Sequence, residues 1–233
     1  MKDIAQIRKL SLWIFFIPFI AINLCLLISQ NPEFLNNTIF EVDQIGRSGF
    51  SIPYLDGGLS ISRASRTFPQ YLIFKPAMIF TAIILYFYWS NNNNLVNSFK
   101  LTNINYKFKT FGILSAIFLA IHSIFLGIKF DIQIYKLMRR VVLLLFIIFE
   151  LIAQGILVYH FFKIKEKLSN LINNKILILK ASLVSILTTV AILSLPILLD
   201  KGNTHFKHAL EWNYFVGVIF FYFLSRLFWK RTT

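Results

Sequence analysis

The sequence is poor in charged residues. They make up 15% of the 233 residues, whereas soluble domains carry about 25%. Hydrophobic residues reach 57%, and phenylalanine alone occupies 26 positions. Because a chain of this length cannot hide so much apolar surface in one small core, lipid must cover the remainder. The composition therefore predicts a membrane protein and excludes a water-soluble domain.

Cysteine and acidic residues are also scarce. Cys25 is the only cysteine, which excludes an intrachain disulfide and a cysteine-rich metal site. Ten acidic residues face 24 Lys and Arg, for a net charge of +14. Because the basic residues are scattered between apolar runs, we interpret them as topology signals and expect no nucleic-acid partner. His205 and His208 have no carboxylate at metal-ligand spacing, so we predict neither a metal nor a cofactor.

Six apolar runs are long enough to cross a bilayer, which requires about 20 residues. The predicted fold is an all-α, polytopic transmembrane bundle that forms a single domain over residues 1–233. Its six helices are expected at about 10–29, 71–90, 111–128, 141–162, 176–199 and 209–229.

The distribution of Lys and Arg predicts the orientation of the bundle. More of them fall in the segments that share a side with the N-terminus, so the positive-inside rule favours two cytosolic termini. One long connection, residues 30–70, then lies between helices 1 and 2 on the non-cytosolic side. It contains Pro32, Pro53, Pro69 and the turn-forming Asp56-Gly57-Gly58, and loops of that length are often functional.

Small residues recur along two of the predicted helices. Gly112, Ala116 and Ala120 are four residues apart, and Ala181, Ser185 and Thr189 repeat the pattern further along the chain. Small side chains allow membrane helices to approach each other closely. We therefore expect both stripes to be packing surfaces between helices.

Ionisable residues inside a membrane are costly and mark candidate sites. Glu150 falls near the midplane, with Gln154 on the same helix face. The outer half of the bundle is expected to collect Lys75, His122 and Glu211 above it, and an ion pair of Lys75 with Glu150 or Glu211 is the structural alternative. Near the inner ends, Lys180, His160 and Arg226 are expected to extend to the interface.

Basic residues also form the rim above this cluster. A cationic rim over a polar intramembrane cluster suits an anionic lipid headgroup with its acyl chains between the helices. The predicted headgroup-binding residues are Arg63, Arg66, Lys75, Arg139 and Arg140. No nucleophile motif is present, so the catalytic residues are unknown; the candidates are His122, Glu150 and Glu211.

Two stretches resemble a known family. Residues Ile52-Pro53-Tyr54-Leu55, Ile61-Ser62-Arg63-Ala64-Ser65 and Phe68-Pro69-Gln70-Tyr71 are similar to the first luminal loop of the GPI-anchor lipid-remodelling factors, which are related to the damage-regulated autophagy modulators. The start of the last helix, Ala209-Leu210-Glu211-Trp212, also resembles that family, although its luminal cysteines are absent. The resemblance implies a six-span membrane protein that acts on lipid anchors.

The expected function is therefore the handling or remodelling of a lipid or glycolipid anchor at the non-cytosolic leaflet. The expected partners are a membrane lipid and, as an alternative, a protein in the bilayer. A non-enzymatic scaffold or regulator is the second hypothesis, and a proton-coupled transporter using Glu150 is the third. The expected location is the inner membrane in a bacterium, or the ER and Golgi in a eukaryote.

Overall fold

The computed structural model describes residues 2–41, 50–99, 107–128, 133–200 and 202–230. These residues contain seven α-helices and one 3₁₀ helix, and their only extended pairing is an isolated bridge between Ile172 and Trp229. The elements are α1 (Lys2–Gln30), the 3₁₀ helix (Pro32–Leu35), α2 (Ile61–Ser65), α3 (Gln70–Ser98), α4 (Lys107–Phe125), α5 (Gln133–Ile164), α6 (Asn174–Leu199) and α7 (Thr204–Phe228).

Five of these helices, α1, α3, α4, α5 and α6, are long and apolar enough to cross a membrane. A helix satisfies its own backbone hydrogen bonds, which is why long apolar segments adopt this form in lipid. By the length and composition of its helices, the chain is a multi-pass membrane protein. The sixth long helix, α7, has 25 residues but is not one of the five; Glu211, Asn213 and Arg226 lower its mean hydropathy.

The six long helices form a ring. Each packs against its neighbour in the chain, and α1 also packs against α7, so that the first and last helices close the ring. Arg8 near the start of α1 donates a hydrogen bond to the carbonyl oxygen of Lys230 after α7, at 3.3 Å. Lys230 Nζ in turn donates to the carbonyl oxygen of Ser169 between α5 and α6. The two ends of the described chain therefore lie at the same end of the bundle.

Close packing of α3 and α4 depends on a glycine. A Cβ atom at Gly112 would lie 2.3 Å from the indole ring of Trp89, and that indole is fully buried. Ala116 of the predicted stripe is also buried, and Ala120 is half-buried. The stripe predicted on α4 is therefore a packing surface.

The prediction that Ala181, Ser185 and Thr189 form a packing surface on α6 was wrong. Ser185 and Thr189 are exposed, whereas Val184 and Leu187 are buried. Leu187 packs against α7 at Gly217, where an added Cβ would lie 2.7 Å from Leu187 Cδ2. The small residue at this contact therefore comes from α7 and not from the stripe predicted on α6.

Part of the long connection between α1 and α3 is folded against the helices. Asp56 closes a turn by accepting hydrogen bonds from the Ser51 hydroxyl and from the backbone N–H groups of Ile52 and Gly58. These three bonds hold the pKa of the Asp56 carboxyl below its usual 3.8. Residues 42–49 of the connection lie outside the described residues.

Candidate functional site

Arg66 at the end of α2 is close enough to Arg63 and to Arg139 of α5 to interact with both electrostatically. Arg63 and Arg66 are exposed at the end of α2, and Arg139 is half-buried near the start of α5. Partial burial lowers the pKa of the Arg66 guanidinium, and the nearby charges of Arg63 and Arg139 lower it further. In this arginine cluster (Arg63, Arg66 and Arg139), the other two charges disfavour the charge on Arg66, and a bound anion would offset that effect.

Lys75 approaches the same region from α3. Its Nζ donates a hydrogen bond to the carbonyl oxygen of Ile124 in the last turn of α4, at 3.2 Å. Two residues past the end of α4, Gly127 adopts φ +83°, and an added Cβ would lie 2.8 Å from the Arg66 carbonyl oxygen. This sharp turn ends α4 at Phe125, short of the predicted limit at 128. The end of α4 therefore contacts both Lys75 and the segment that carries the cluster.

His122 lies next to Arg139 and forms a hydrogen bond with its backbone. It is 8% exposed and interacts electrostatically with Arg139. Within the described part of the chain, His122 Nδ1 and Arg139 Nε have no hydrogen-bond partner. These nitrogens add unused hydrogen-bonding capacity to a region that already lacks negative charge among the described residues.

Glu211 occupies a different place. Its carboxylate accepts hydrogen bonds from the backbone N–H groups of Ile61 and Ser62 at the start of α2. The next residue, Trp212, donates from its indole N–H to the carbonyl oxygen of Leu59 and packs edge-to-face on Tyr54, with ring centroids 4.9 Å apart. Both residues therefore attach the α1–α3 connection to α7.

The two histidines before Glu211 contact the same connection. The Nδ1 atoms of His205 and His208 lie 3.2 and 2.9 Å from the carbonyl oxygens of Asp56 and Gly57. Among the described residues, no group of three or more His, Cys, Asp or Glu could hold a metal ion. These contacts give both histidines a structural role.

Glu150 forms a third environment, in the centre of the bundle. Its side chain is 1% exposed, and its carboxylate contacts the hydroxyls of Ser115 and Tyr222 and the amide of Gln154. One side of Glu150 lines an apolar cavity of about 20 Å³ between α1, α3, α4, α5 and α7. A cavity of that size has room for about one water molecule, which is far too small for a lipid chain.

The structure divides the predicted site into separate parts. Arg63, Arg66 and Arg139 lie together, and Lys75 reaches the adjoining turn. Arg140 is exposed on α5, about 100° around the helix from Arg139. Of the predicted group, Lys75 and His122 both lie near the end of α4, whereas Glu211 binds the start of α2 and Glu150 binds side chains in the centre of the bundle. Among the described residues, the alternative ion pair of Lys75 with either carboxylate is absent as well.

Sequence reasoning also misplaced one cation. Lys180 was expected to extend to the interface, but it is fully buried, and its ammonium group lies 4.1 Å from the ring centroid of Phe221. His160 is also buried, at 4% exposure, and Arg226 is half-buried. The spacing of Tyr222 and Ser225, one turn apart on α7, was the signal that could have revealed a buried polar surface on this helix.

Comparison with known proteins adds no assignment to this geometry. The chain matches no model of a known protein family, no curated protein and no solved structure.

Proposed function

We propose that the protein binds, and handles or remodels, an anionic lipid or glycolipid at the non-cytosolic leaflet, with the headgroup at the arginine cluster. The observation that supports this most directly is the crowding of Arg63, Arg66 and Arg139. Guanidinium groups bind phosphate through paired hydrogen bonds, so three of them can surround one phosphate. A lipid phosphate would supply the negative charge that the described neighbours of the cluster do not.

Exposed apolar side chains on the connection that carries Arg63 and Arg66 support a lipid rather than a soluble anion. The connection between α1 and α3 exposes Phe34, Ile39, Phe50 and Leu55. Such side chains favour the boundary between headgroups and acyl chains. A lipid at the membrane surface would therefore reach the arginines with its headgroup while its chains remain among the exposed apolar side chains of the helices.

Thermal unfolding in lipid nanodiscs tests the headgroup site. Phosphatidylglycerol should raise the unfolding temperature of the wild-type chain relative to phosphatidylcholine, because a ligand that binds only the folded state stabilises it. The Arg66→Gln/Arg139→Gln variant should lose this gain. Arg140→Gln is the matched control, because it removes a charge from the same helix outside the cluster, and it should keep the gain. Equal stabilisation of all three proteins by phosphatidylglycerol contradicts the proposal.

The proposed side of the membrane can be tested by labelling. Leu55 is exposed and the only native cysteine, Cys25, is buried, so Leu55→Cys gives a single accessible thiol. A membrane-impermeant maleimide should label it from outside intact bacterial spheroplasts. Labelling only after the membrane is opened would place the cluster on the cytosolic side instead.

A non-enzymatic lipid-binding scaffold is the second candidate function. Two observations favour it: Lys75 and Glu211 both bind the backbone of neighbouring elements, and the cavity beside Glu150 is small and apolar. Lipidomic comparison of cells with and without the gene separates the two candidates. A change in the acyl composition of one lipid class supports remodelling, whereas unchanged acyl composition in every class supports the scaffold.

A further inference from the structure

The carboxylate of Glu150 is held by side chains from three helices. The hydroxyl oxygen of Ser115, on α4, lies 2.5 Å from Glu150 Oε2. Tyr222 of α7 donates its hydroxyl to Oε1, and Gln154, one turn further along α5, donates its amide to Oε1 at 3.0 Å. A buried charge needs such partners, so the site can hold Glu150 in its ionised form.

The same site can also hold Glu150 in its protonated form. A serine hydroxyl has one hydrogen to donate and can also accept. Ser115 Oγ has two acceptors within reach, Glu150 Oε2 and the carbonyl oxygen of Gly112 at 2.9 Å. When Glu150 is ionised, Ser115 donates to it; when Glu150 carries a proton, Ser115 turns its hydrogen to Gly112 and accepts from Glu150. Neither state leaves a buried polar atom of this pair unsatisfied.

A buried cation lies about one turn further along the same face of α7. Lys180 Nζ donates to Ser225 Oγ at 2.8 Å, and the rings of Phe161, Phe221 and Phe228 surround it. Aromatic faces attract an ammonium ion. Ser225 repeats the arrangement of Ser115, because its Oγ lies 2.9 Å from the Phe221 carbonyl oxygen and 3.1 Å from the Tyr88 hydroxyl.

The two buried groups are linked through tyrosines. Tyr88 contacts Ser225 through its hydroxyl, and its ring lies edge-to-face on that of Tyr222, with centroids 4.9 Å apart. Among the described residues, Glu150 is the one carboxylate and Lys180 the one lysine or arginine that are buried. They form no direct ion pair, and the contacts from Tyr222 through Tyr88 to Ser225 connect them.

We propose that Glu150 is a reversible proton-binding site in the centre of the bundle, with Lys180 as its charge partner. A proton from a hydronium ion bonds to Glu150 Oε2 and leaves a water molecule behind, and the Ser115 hydroxyl rotates to Gly112. No other covalent bond forms or breaks. This activity is separate from the headgroup site, which lies at the end of the bundle.

Residues from several helices surround Glu150. They are Ile14 and Pro18 of α1 at the cavity, Tyr88 and Trp89 of α3, Ser115 of α4, Gln154 of α5, and Tyr222 of α7, with Lys180 of α6 beyond Ser225. Among them only Lys180 is a cation, so it is the residue whose removal should change the protonation of Glu150 most.

Infrared spectroscopy of the full-length protein in nanodiscs tests the proposal. The carbonyl band of a protonated, buried carboxyl group should appear on acidification and disappear on alkalinisation, and Glu150→Gln should lose it. If Glu150→Gln does not fold, Glu150→Asp should move the band and assign it equally well. A band assigned to Glu150 that is constant at all pH values, or absent at all of them, would overturn the proposal.

A serine pair supplies the matched variants. Ser115 and Ser123 are both buried on α4 and both bond to their own helix backbone, but only Ser115 reaches Glu150. Ser115→Ala should extend the carboxyl band to higher pH, because an ionised acceptor loses a stronger hydrogen bond than a neutral one. Ser123→Ala should titrate like the wild type, and Lys180→Met should extend the band further than Ser115→Ala. The same titration in both serine variants would refute the role of Ser115.

Discussion

The indole N–H of Trp212 donates a hydrogen bond to the carbonyl oxygen of Leu59 at 2.8 Å, and this bond attaches the connection between α1 and α3 to the start of α7. Trp212 is fully buried and Leu59 is half-buried, so water would replace the lost donor only in part. Trp212→Phe keeps the ring packing on Tyr54 but removes the donor. We expect it to cost about 1–3 kcal/mol in the free energy of unfolding.

Equilibrium unfolding in a defined detergent measures this cost. Trp13→Phe is the control, because Trp13 is 47% exposed and its substitution should leave the stability nearly unchanged. Limited proteolysis adds a local readout: residues 50–60 should be cut faster in Trp212→Phe than in the wild type. Equal cleavage of both proteins would mean that another contact holds the connection in place.

Gly112 should tolerate no side chain. Its missing Cβ leaves the space that the Trp89 ring fills at 2.3 Å. Gly112→Ala should therefore push α3 and α4 apart and destabilise the protein by about 1–3 kcal/mol, the usual range for overpacking. Gly155→Ala is the matched control in α5, since its Cβ would lie 3.7 Å from the nearest atom, on Val184. Thermal unfolding of the two variants side by side would show a clear loss only for Gly112→Ala.

The arginine cluster should stabilise the folded protein only when an anionic ligand is bound to it. Because partial burial and the charges of Arg63 and Arg139 all disfavour the charge on Arg66, Arg66→Gln should keep or raise the unfolding temperature in phosphatidylcholine. In phosphatidylglycerol the order should reverse, with the wild type more stable. Such an exchange of stability for binding is common at functional sites. A variant that is less stable in both lipids would assign Arg66 a structural role instead.

The turn at Asp56 should open in acid. Its folded-state pKa lies below the usual 3.8, so the ionised carboxyl stabilises the turn above that value, and this contribution is lost as the pH falls through the folded-state pKa. Hydrogen exchange at Ile52 and Gly58 should therefore be slower in the wild type than in Asp56→Ala at pH 6. The difference between the two proteins should shrink as the pH is lowered below about 3.8. A difference that stays constant over this range would contradict the role of the carboxylate.

Hydropathy predicted the long helices because burial in lipid is a property of each segment alone. Five helices are long and apolar enough to cross a membrane, and they overlap the predicted spans. The packing faces depend on partners, which a single sequence does not name. The α6 stripe was misplaced for this reason. Leu187 of α6 packs into the space left by Gly217, and Gly217 lies on α7.

The surroundings of the polar side chains also depend on packing partners that a single sequence does not name. Lys180 has the sequence position of an interfacial lysine, but phenylalanines from α5 and α7 enclose it, and only tertiary packing brings them together. Arg63, Arg66 and Arg139 were predicted to form part of one basic rim because they fall on the same predicted side of the membrane, and Arg66 does interact electrostatically with the other two. Arg140 was also predicted to bind the headgroup, but it lies about 100° around the helix from Arg139. The resemblance to GPI-anchor lipid-remodelling factors stays a prediction, although the residues that carry it, Tyr54 and Trp212, are in contact.

The packing of α1 against α7 has a consequence for biogenesis. Phe15 of α1 lies against Phe220 and Phe223 of α7, and Tyr222 of α7 binds Glu150. Because a ribosome makes α7 after all the other helices, α1 must wait in the bilayer for its partner while the rest of the chain is inserted. During that interval the Glu150 carboxyl lacks one of its donors, and a nascent chain stalled before α7 would present an unfinished surface to membrane quality-control proteases.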